Sequence, residues 1–270
     1  MKTSTHNIVP IIFSIAIVFL YGCSANELTR QLTAEEYFLK GKENFLEENY
    51  LEATENFKVV GLQYSGSEFA DDAQFYLGEC YFQREEYLLA GFEYESLKKR
   101  MASSPFVPLA MYKMALSYFQ LSPKSLLDQK YTRKAIDELQ AFLEYYPQHD
   151  SAQQASEKIR LLNNRLAQKE FETAELYFTL EEYQAAIHYY ENVLAQYHDS
   201  PYAEQAQLGI VTSWLAKKKY EKAKSAVEKF FEKYPASNFT AQAEFYKKEI
   251  AERLKESSPL PTEKEKYLNE

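Results

Sequence analysis

The chain has 270 residues, of which 46% are hydrophobic and 16% aromatic, so it is long enough for one or two globular domains and too apolar for a disordered protein. It contains only 7 Gly and 9 Pro, too few for the turns of a β-sandwich or for glycine-rich phosphate loops, and composition favours an all-helical fold. The formal net charge of −9 argues against a surface for nucleic acid or anionic lipid. Two cysteines are too few for a disulfide framework or a metal site.

The N-terminus contains an apolar run over residues 8–20, which is too short to span a bilayer and suits the core of a secretory signal peptide. The run ends in Leu20-Tyr21-Gly22-Cys23, which resembles a bacterial lipobox. The resemblance implies cleavage before Cys23 and acylation of its thiol and new amino group by palmitate-type chains. Ser24 fits export to the outer membrane. Tyr21 stands where a small residue is usual, and the alternative is an ordinary signal peptide or anchor with an incidental cysteine.

The two ends of the chain differ from its middle. Residues 1–22 are the predicted signal peptide, and residues 23–32 are a lipidated tether. The folded part is predicted to start near Thr33, which forms a capping-box pattern with Glu36. Residues 256–270 contain two prolines and alternating charges and are predicted to be disordered.

A segment that recurs four times reveals internal repeats. In each copy a Tyr precedes an Ala by nine residues, a pattern typical of a helix end, a turn and a helix start: Tyr64/Ala73, Tyr146/Ala155, Tyr197/Ala206 and Tyr234/Ala243. Pro147 and Pro235 are predicted to stop helices, and Ser67, Ser200 and Ser237 are predicted to cap the helices that follow. Between these segments lies a second recurrent Ala, followed four residues later by a large apolar residue: Phe57, Tyr94, Leu139, Tyr190 and Val227. Each unit also has a preceding position that is small in most copies: Gly41, Gly78, Ala115, Ala174 and Val211.

The pattern resembles the tetratricopeptide repeat, a pair of antiparallel helices that stacks into a solenoid with a concave binding surface. It predicts an all-α fold of five repeats over residues 33–240, with a capping helix near 240–255; the alternative is an unrelated helical bundle. Eight extra residues around 121–128 predict a loop or a lengthened helix end in the third repeat. Fourteen extra residues without Gly or Pro predict one helix of about 30 residues from Ser151 to about Leu180. This helix joins an N-terminal lobe, 33–150, to a C-terminal lobe, 151–255.

The lipobox, the five repeats, the insertion in the third and the long helix before the fourth together resemble the family of BamD-type outer-membrane assembly lipoproteins. Two segments, 69–83 and 166–179, also resemble that family in sequence. The resemblance implies a non-enzymatic, periplasm-facing scaffold without cofactors, anchored in the outer membrane and belonging to the β-barrel assembly (BAM) complex. It implies that the C-terminal lobe binds BamA, alongside other BAM subunits. It also implies that the N-terminal lobe receives the C-terminal targeting segment of unfolded barrel proteins.

Large apolar residues, eight of the ten aromatic, recur in pairs seven residues apart in the first helix of each repeat, so both members of a pair share one helix face. The pairs are Phe38/Phe45, Phe75/Phe82, Tyr112/Phe119, Phe171/Phe178 and Leu208/Leu215. Such a stripe suits an extended, aromatic-rich peptide through apolar burial and ring contacts. The candidate peptide-binding groove therefore consists of Phe38, Phe45, Phe75, Phe82, Tyr112 and Phe119. The alternative, that these rings only pack between helices, stays open.

No catalytic or metal site is predicted. His149, His188 and His198 lack metal-ligand spacing, and Cys80 has no neighbouring base to activate it. A hydrolase built on a repeat scaffold is disfavoured because the sequence shows no nucleophile with a base and an orienting group. The remaining alternative function is a periplasmic repeat lipoprotein that organises cell-envelope or cell-wall enzymes.

Overall fold

A computed structural model describes residues 30–257, and these residues form eleven α-helices and no strands. The predicted signal peptide, Cys23 and residues 258–270 of the predicted tail lie outside the described residues. The helices are α1 Ala34–Leu46, α2 Tyr50–Gln63, α3 Ala70–Gln83, α4 Tyr87–Arg100, α5 Val107–Leu121, α6 Lys130–Tyr145, α7 Ala152–Thr179, α8 Tyr183–Gln196, α9 Ala203–Ala216, α10 Tyr220–Lys233 and α11 Thr240–Ser257.

Each helix contacts the next one along the chain, and α9 also contacts α7 and α11. The helices α1 to α10 form the five predicted pairs, and α11 covers the end of the last one. The prediction of an all-α tetratricopeptide-repeat solenoid is thus confirmed. The long helix α7 has 28 residues and lies within one residue of the predicted ends, with Ser151 and Leu180 flanking it.

The start of α1 has the predicted capping box. The Glu36 N–H donates to Thr33 Oγ1 at 3.2 Å, and the Thr33 N–H donates to Glu36 Oε2 at 2.8 Å. The hydrogen bond from the Thr33 backbone lowers the pKa of the Glu36 carboxyl. Two unpaired N–H groups at the helix start are thereby satisfied.

The caps predicted at Ser67 and Ser200 are wrong, whereas the Ser237 hydroxyl accepts a hydrogen bond from the Phe239 N–H at 3.0 Å. The helices that follow Ser67 and Ser200 begin three residues later, with Phe69 and Tyr202 at the N-cap positions and no side-chain cap. A tight turn comes first, in which the Ala70 N–H donates to the Ser67 carbonyl at 3.2 Å. The Ser67 and Ser200 hydroxyls have no hydrogen-bond partner, so neither caps the helix that follows it.

In four repeats the turn that follows the first helix contains a residue in the left-handed region, two residues after the helix ends, at φ between 55° and 62°: Glu48, Glu85, Glu181 and Lys218. At each turn the next N–H reaches back five residues, as from Asn49 to the Asn44 carbonyl at 2.8 Å. This is the hydrogen bond of a Schellman motif, which usually has glycine at the left-handed position. The chain forms these turns with charged residues instead, which explains how so many helices fit a sequence with few glycines.

The insertion in the third repeat is a loop over residues 122–129 rather than a longer helix. Its organising residue is Gln129, which is 3% exposed. The Gln129 amide donates to three loop carbonyls and accepts a hydrogen bond from Thr132 Oγ1 at 2.6 Å. The loop also contacts α7, because Arg165 donates to the Ser122 carbonyl at 2.9 Å.

The buried apolar residues form two clusters, and the boundary between the clusters lies within α7. The first cluster reaches Ala167 on this helix and the second begins at Ala174. The predicted lobe boundary at residue 150 lies at the start of α7, and it stays a prediction.

The two helices of a repeat come close enough for a ring to fill the place of a missing side chain. A Cβ built on Gly41 would lie 2.7 Å from the Phe57 ring, and one on Gly78 would lie 2.6 Å from the Tyr94 ring. Both rings are fully buried. Only glycine fits these positions without displacing a core ring.

We therefore expect Gly78→Ala to lower the free energy of unfolding by about 1–3 kcal/mol, because its methyl group overpacks the core. The matched control is Gly61→Ala in α2, where an added Cβ meets nothing within 4 Å. That change should raise the free energy by up to about 1 kcal/mol through helix propensity. Urea unfolding followed by circular dichroism measures both. Equal effects of the two substitutions would contradict the packing argument.

Candidate functional site

Two of the six predicted groove residues are buried among other rings. Phe75 is 5% exposed and stacks on Phe106 with ring centroids 4.8 Å apart. Tyr112 is also 5% exposed, and its hydroxyl donates to Gln154 Oε1 at 3.0 Å. At these two positions the structure shows the packing alternative.

The other four predicted groove residues are half-buried. Each lies against another ring or a lysine: Phe38 stacks on Phe69 at 5.4 Å, Phe45 meets Tyr76 edge-on at 5.4 Å, Phe82 meets Tyr87 edge-on at 5.2 Å, and the Lys158 ammonium lies 4.4 Å from the Phe119 ring. These rings keep partial access to a ligand, and peptide binding by them stays a prediction.

Side-chain pairs occupy the space between the first helices of successive repeats. The Lys42 ammonium lies 3.7 Å from the centroid of the Tyr76 ring. One repeat later, Lys113 Nζ lies 2.8 Å from Glu79 Oε2. In both pairs the members are 34 residues apart in the sequence. Neither pair is predicted from the sequence, although the spacing of 34 residues between a lysine and a ring or a carboxylate was an available signal.

The Glu79 carboxylate is nearly buried, with 8% of the residue exposed. It also accepts a hydrogen bond from the Tyr94 hydroxyl at 2.5 Å. Burial raises the pKa of this tyrosine, so the hydroxyl keeps its proton and donates. The carboxylate therefore has a partner for each oxygen, as a buried charge requires.

Between α7 and α9 the corresponding space is open. A pocket of about 430 Å³ lies between α7, α9 and α11, and its walls include Phe171, Glu175, Phe178, Tyr190, Gly209 and Tyr246. The Tyr190 hydroxyl donates to Glu175 Oε1, and Glu175 is exposed. We call this space the C-terminal pocket.

The end of the described chain is basic despite the net charge of −9. Residues 217–255 carry eleven Lys and Arg against six Asp and Glu. Trp214, the only tryptophan, lies beside this segment with the Lys222 ammonium 4.4 Å from its ring. Trp214 and Lys222 line a cleft of about 300 Å³ together with Lys229 and Lys233. We call these four residues the basic cleft. The net charge of the whole chain, −9, gives no indication of such a local cluster of lysines.

Cys80 is fully buried, and burial raises the pKa of its thiol to about 12. Among residues 30–257 no three His, Cys, Asp or Glu side chains are grouped so that they could hold a metal ion. In the same part of the chain, no helix combines the length and apolar character needed to cross a membrane.

The sequence model of the YfiO family, described as outer membrane lipoprotein, matches residues 30–206 and 179–251. The chain belongs to this family. The match confirms the family that the sequence predicts and, with it, the prediction of a scaffold that is not an enzyme.

Two curated relatives carry the name outer membrane protein assembly factor BamD. The one from Caulobacter vibrioides is 24% identical over 208 residues, which cover 75% of this chain and 68% of the relative. The one from Rickettsia prowazekii is 24% identical over 226 residues, which cover 83% of this chain and 90% of the relative. Among solved structures, the TPR2AB domain of yeast Sti1 in its complex with pHSP90 aligns with 83% of this chain and 84% of its own, with 14% identity and a TM-score of 0.42.

The pair between Glu79 and Lys113 gives a stability test. Lys113→Met should lower the free energy of unfolding by about 1–3 kcal/mol, because it leaves a nearly buried carboxylate without its cation. Lys99→Met is the control, since Lys99 and Glu95 form a solvent-exposed ion pair at 2.7 Å. It should cost less than about 0.5 kcal/mol. Thermal and urea unfolding compare the two variants, and the double variant Glu79→Gln with Lys113→Met should recover part of the loss. A loss no larger than that of Lys99→Met would exclude a structural role for the pair.

Proposed function

We propose that the chain is a lipid-anchored scaffold subunit of the BAM complex, which folds β-barrel proteins into the outer membrane. The observation that carries the proposal is the match to the outer membrane lipoprotein family over residues 30–251, with curated relatives named as assembly factors. In this proposal the protein acts by binding its partners close to one another and does not catalyse a reaction.

The anchor in this proposal is Cys23, acylated after cleavage of residues 1–22, with the repeats facing the periplasm. Each buried acyl CH₂ contributes about 0.8 kcal/mol, so several chains give a stable anchor. Anchoring confines the repeats to the membrane surface and raises the effective concentration of partners there.

The C-terminal lobe is the proposed binding site for BamA, with other BAM subunits in the same complex. The basic cleft supports a protein partner here, because Trp214 is the kind of large amphipathic side chain that is enriched at interfaces. Its neighbour Lys222 and the two further lysines of the cleft belong to none of the ion pairs among residues 30–257. An acidic partner surface would complement them.

The N-terminal lobe is the proposed site for the C-terminal segment of unfolded barrel proteins. The four half-buried rings Phe38, Phe45, Phe82 and Phe119 each present part of a ring that a ligand can cover. A peptide with aromatic side chains would add ring contacts worth about 0.5–1.5 kcal/mol per pair beyond the area that it buries.

Affinity capture of the full-length, lipidated protein from mild-detergent membranes tests the proposed function. We expect the main co-purifying chain to be a large outer-membrane barrel with periplasmic domains. Cys23→Ala should remove the protein from the membrane fraction, because the acyl chains are lost. Recovery of cell-wall or division proteins alone would favour the envelope-organising lipoprotein over the assembly scaffold.

Peptide binding by the N-terminal lobe can be tested with the double variant Phe45→Ala and Phe82→Ala. We expect it to bind a fluorescent C-terminal barrel peptide about tenfold more weakly, because two ring contacts are lost. Phe245→Ala is the control, since Phe245 is 65% exposed on α11. Fluorescence anisotropy gives the affinities, and circular dichroism checks that the helices are intact. Unchanged affinity in a folded double variant would show that the rings only pack between helices.

A further inference from the structure

The second and fourth repeats contain the same arrangement of side chains around a carboxylate. In both, the tyrosine hydroxyl of the second helix donates to a glutamate fifteen residues earlier, on the first helix. A phenylalanine follows the glutamate by three residues on the same helix face. The sets are Glu79, Phe82 and Tyr94 in the second repeat and Glu175, Phe178 and Tyr190 in the fourth.

The two repeats differ in one residue of the next helix. In the second repeat the arrangement is completed by Lys113, 34 residues after Glu79, whose Nζ lies 2.8 Å from the carboxylate and 5.3 Å from the Phe82 ring. The residue 34 positions after Glu175 is Gly209. Both positions are followed four residues later by a serine whose hydroxyl donates to their carbonyl, which confirms the correspondence.

The packing of Tyr190 explains why position 209 is a glycine. Where the second repeat has Gly78 beneath the tyrosine ring, the fourth has Ala174, and the ring lies against the next repeat instead. A Cβ on Gly209 would lie 2.6 Å from Cε2 of Tyr190. Because no side chain extends from position 209, the C-terminal pocket is open beside the carboxylate.

The result is a carboxylate with an incomplete set of partners. Glu175 accepts one hydrogen bond from Tyr190, and it belongs to none of the ion pairs among residues 30–257. The Phe171 and Phe178 rings line the same pocket. A carboxylate beside aromatic faces favours a cation, through charge and through cation–π attraction.

We propose that the C-terminal pocket binds a lysine or arginine side chain of a partner protein, so that the partner supplies to Glu175 the cation that Lys113 supplies to Glu79 within the chain. The volume of about 430 Å³ is in the range of ligand pockets and leaves room for an apolar residue beside the cation, against Tyr246. This deepens the proposed function, on which it rests, by giving the C-terminal lobe a second contact of opposite charge to the basic cleft.

Peptide titration tests the inference without any partner. The probes are two acetylated and amidated tetrapeptides, Ser-(4-fluoro-Phe)-Lys-Ser and its Gln counterpart, titrated onto the full-length protein in detergent and followed by ¹⁹F NMR. We expect the Lys peptide to bind about fivefold more tightly than the Gln peptide at low salt, and this preference to shrink at about 0.5 M salt, because salt screens a partly exposed ion pair. Glu175→Gln should abolish the preference, whereas Glu252→Gln on α11 should keep it. The side-chain amide oxygen introduced by Glu175→Gln can still accept from Tyr190, so the variant retains the fold.

Equal affinities of the two peptides for the wild-type protein, or a preference that survives in Glu175→Gln, would overturn the inference. Capture with Glu175→Gln separates this inference from the proposed function. If the wild-type and variant proteins recover the barrel subunit in equal yield, the pocket has no part in partner binding and the inference fails, whereas the proposed function stands. If even the wild-type protein recovers no barrel subunit, the proposed function fails, and the peptide titration alone decides whether the pocket binds a cation.

Discussion

The close approach of the two helices within each repeat is the constraint from which the rest of the structure follows. The corresponding positions of the first and second helices are buried in every repeat, and in the first two repeats the glycine lies directly against the ring: Gly41/Phe57, Gly78/Tyr94, Ala115/Leu139, Ala174/Tyr190 and Val211/Val227. Both glycines are paired with a ring and Val211 with a second valine, whereas Ala174 is paired with Tyr190, whose ring lies against Gly209 of the next repeat. Dense packing of the interior thus requires a residue without a side chain wherever a ring fills the space between two helices. Repeats of one register can therefore stack although their sequences differ.

This packing also determines where charge is placed. A tyrosine ring buried at the contact carries a hydroxyl that needs an acceptor, and both tyrosines find one in the glutamate next to the small residue. A buried carboxylate in turn needs a cation, which Lys113 provides to Glu79. Where Ala174 replaces glycine, the ring moves toward Gly209 and no lysine can extend from that position. A difference of one methyl group between two repeats thereby separates a closed ion pair from an open pocket.

The sequence could predict the features that depend on spacing within one helix pair. The recurrent Tyr and Ala positions give the register, and the absence of Gly and Pro in the fourth-repeat insertion gives α7 to within one residue of each end. Features that depend on neighbouring helices were not predictable. A seven-residue period places Phe75 and Phe82 on one face, but only the position of α5 buries the first and leaves the second half-exposed. The caps at Ser67 and Ser200 failed for a similar reason, since a tight turn places two residues between each serine and its helix.

The helix α7 links the two predicted binding regions, and its surroundings make it a stiff link. Its 28 residues span about 42 Å, and the two clusters of buried residues meet on it between Ala167 and Ala174. The loop 122–129 covers this junction, where Ser125 donates to Glu172 at 2.7 Å and Lys169 donates to the Leu127 carbonyl at 2.7 Å. The insertion in the third repeat thus contacts α7 between the two clusters of buried residues and stabilises the helix there. In the proposed scaffold, with one partner on each predicted lobe, such support would maintain the distance between the partners, because a bend in α7 would have to break these contacts first.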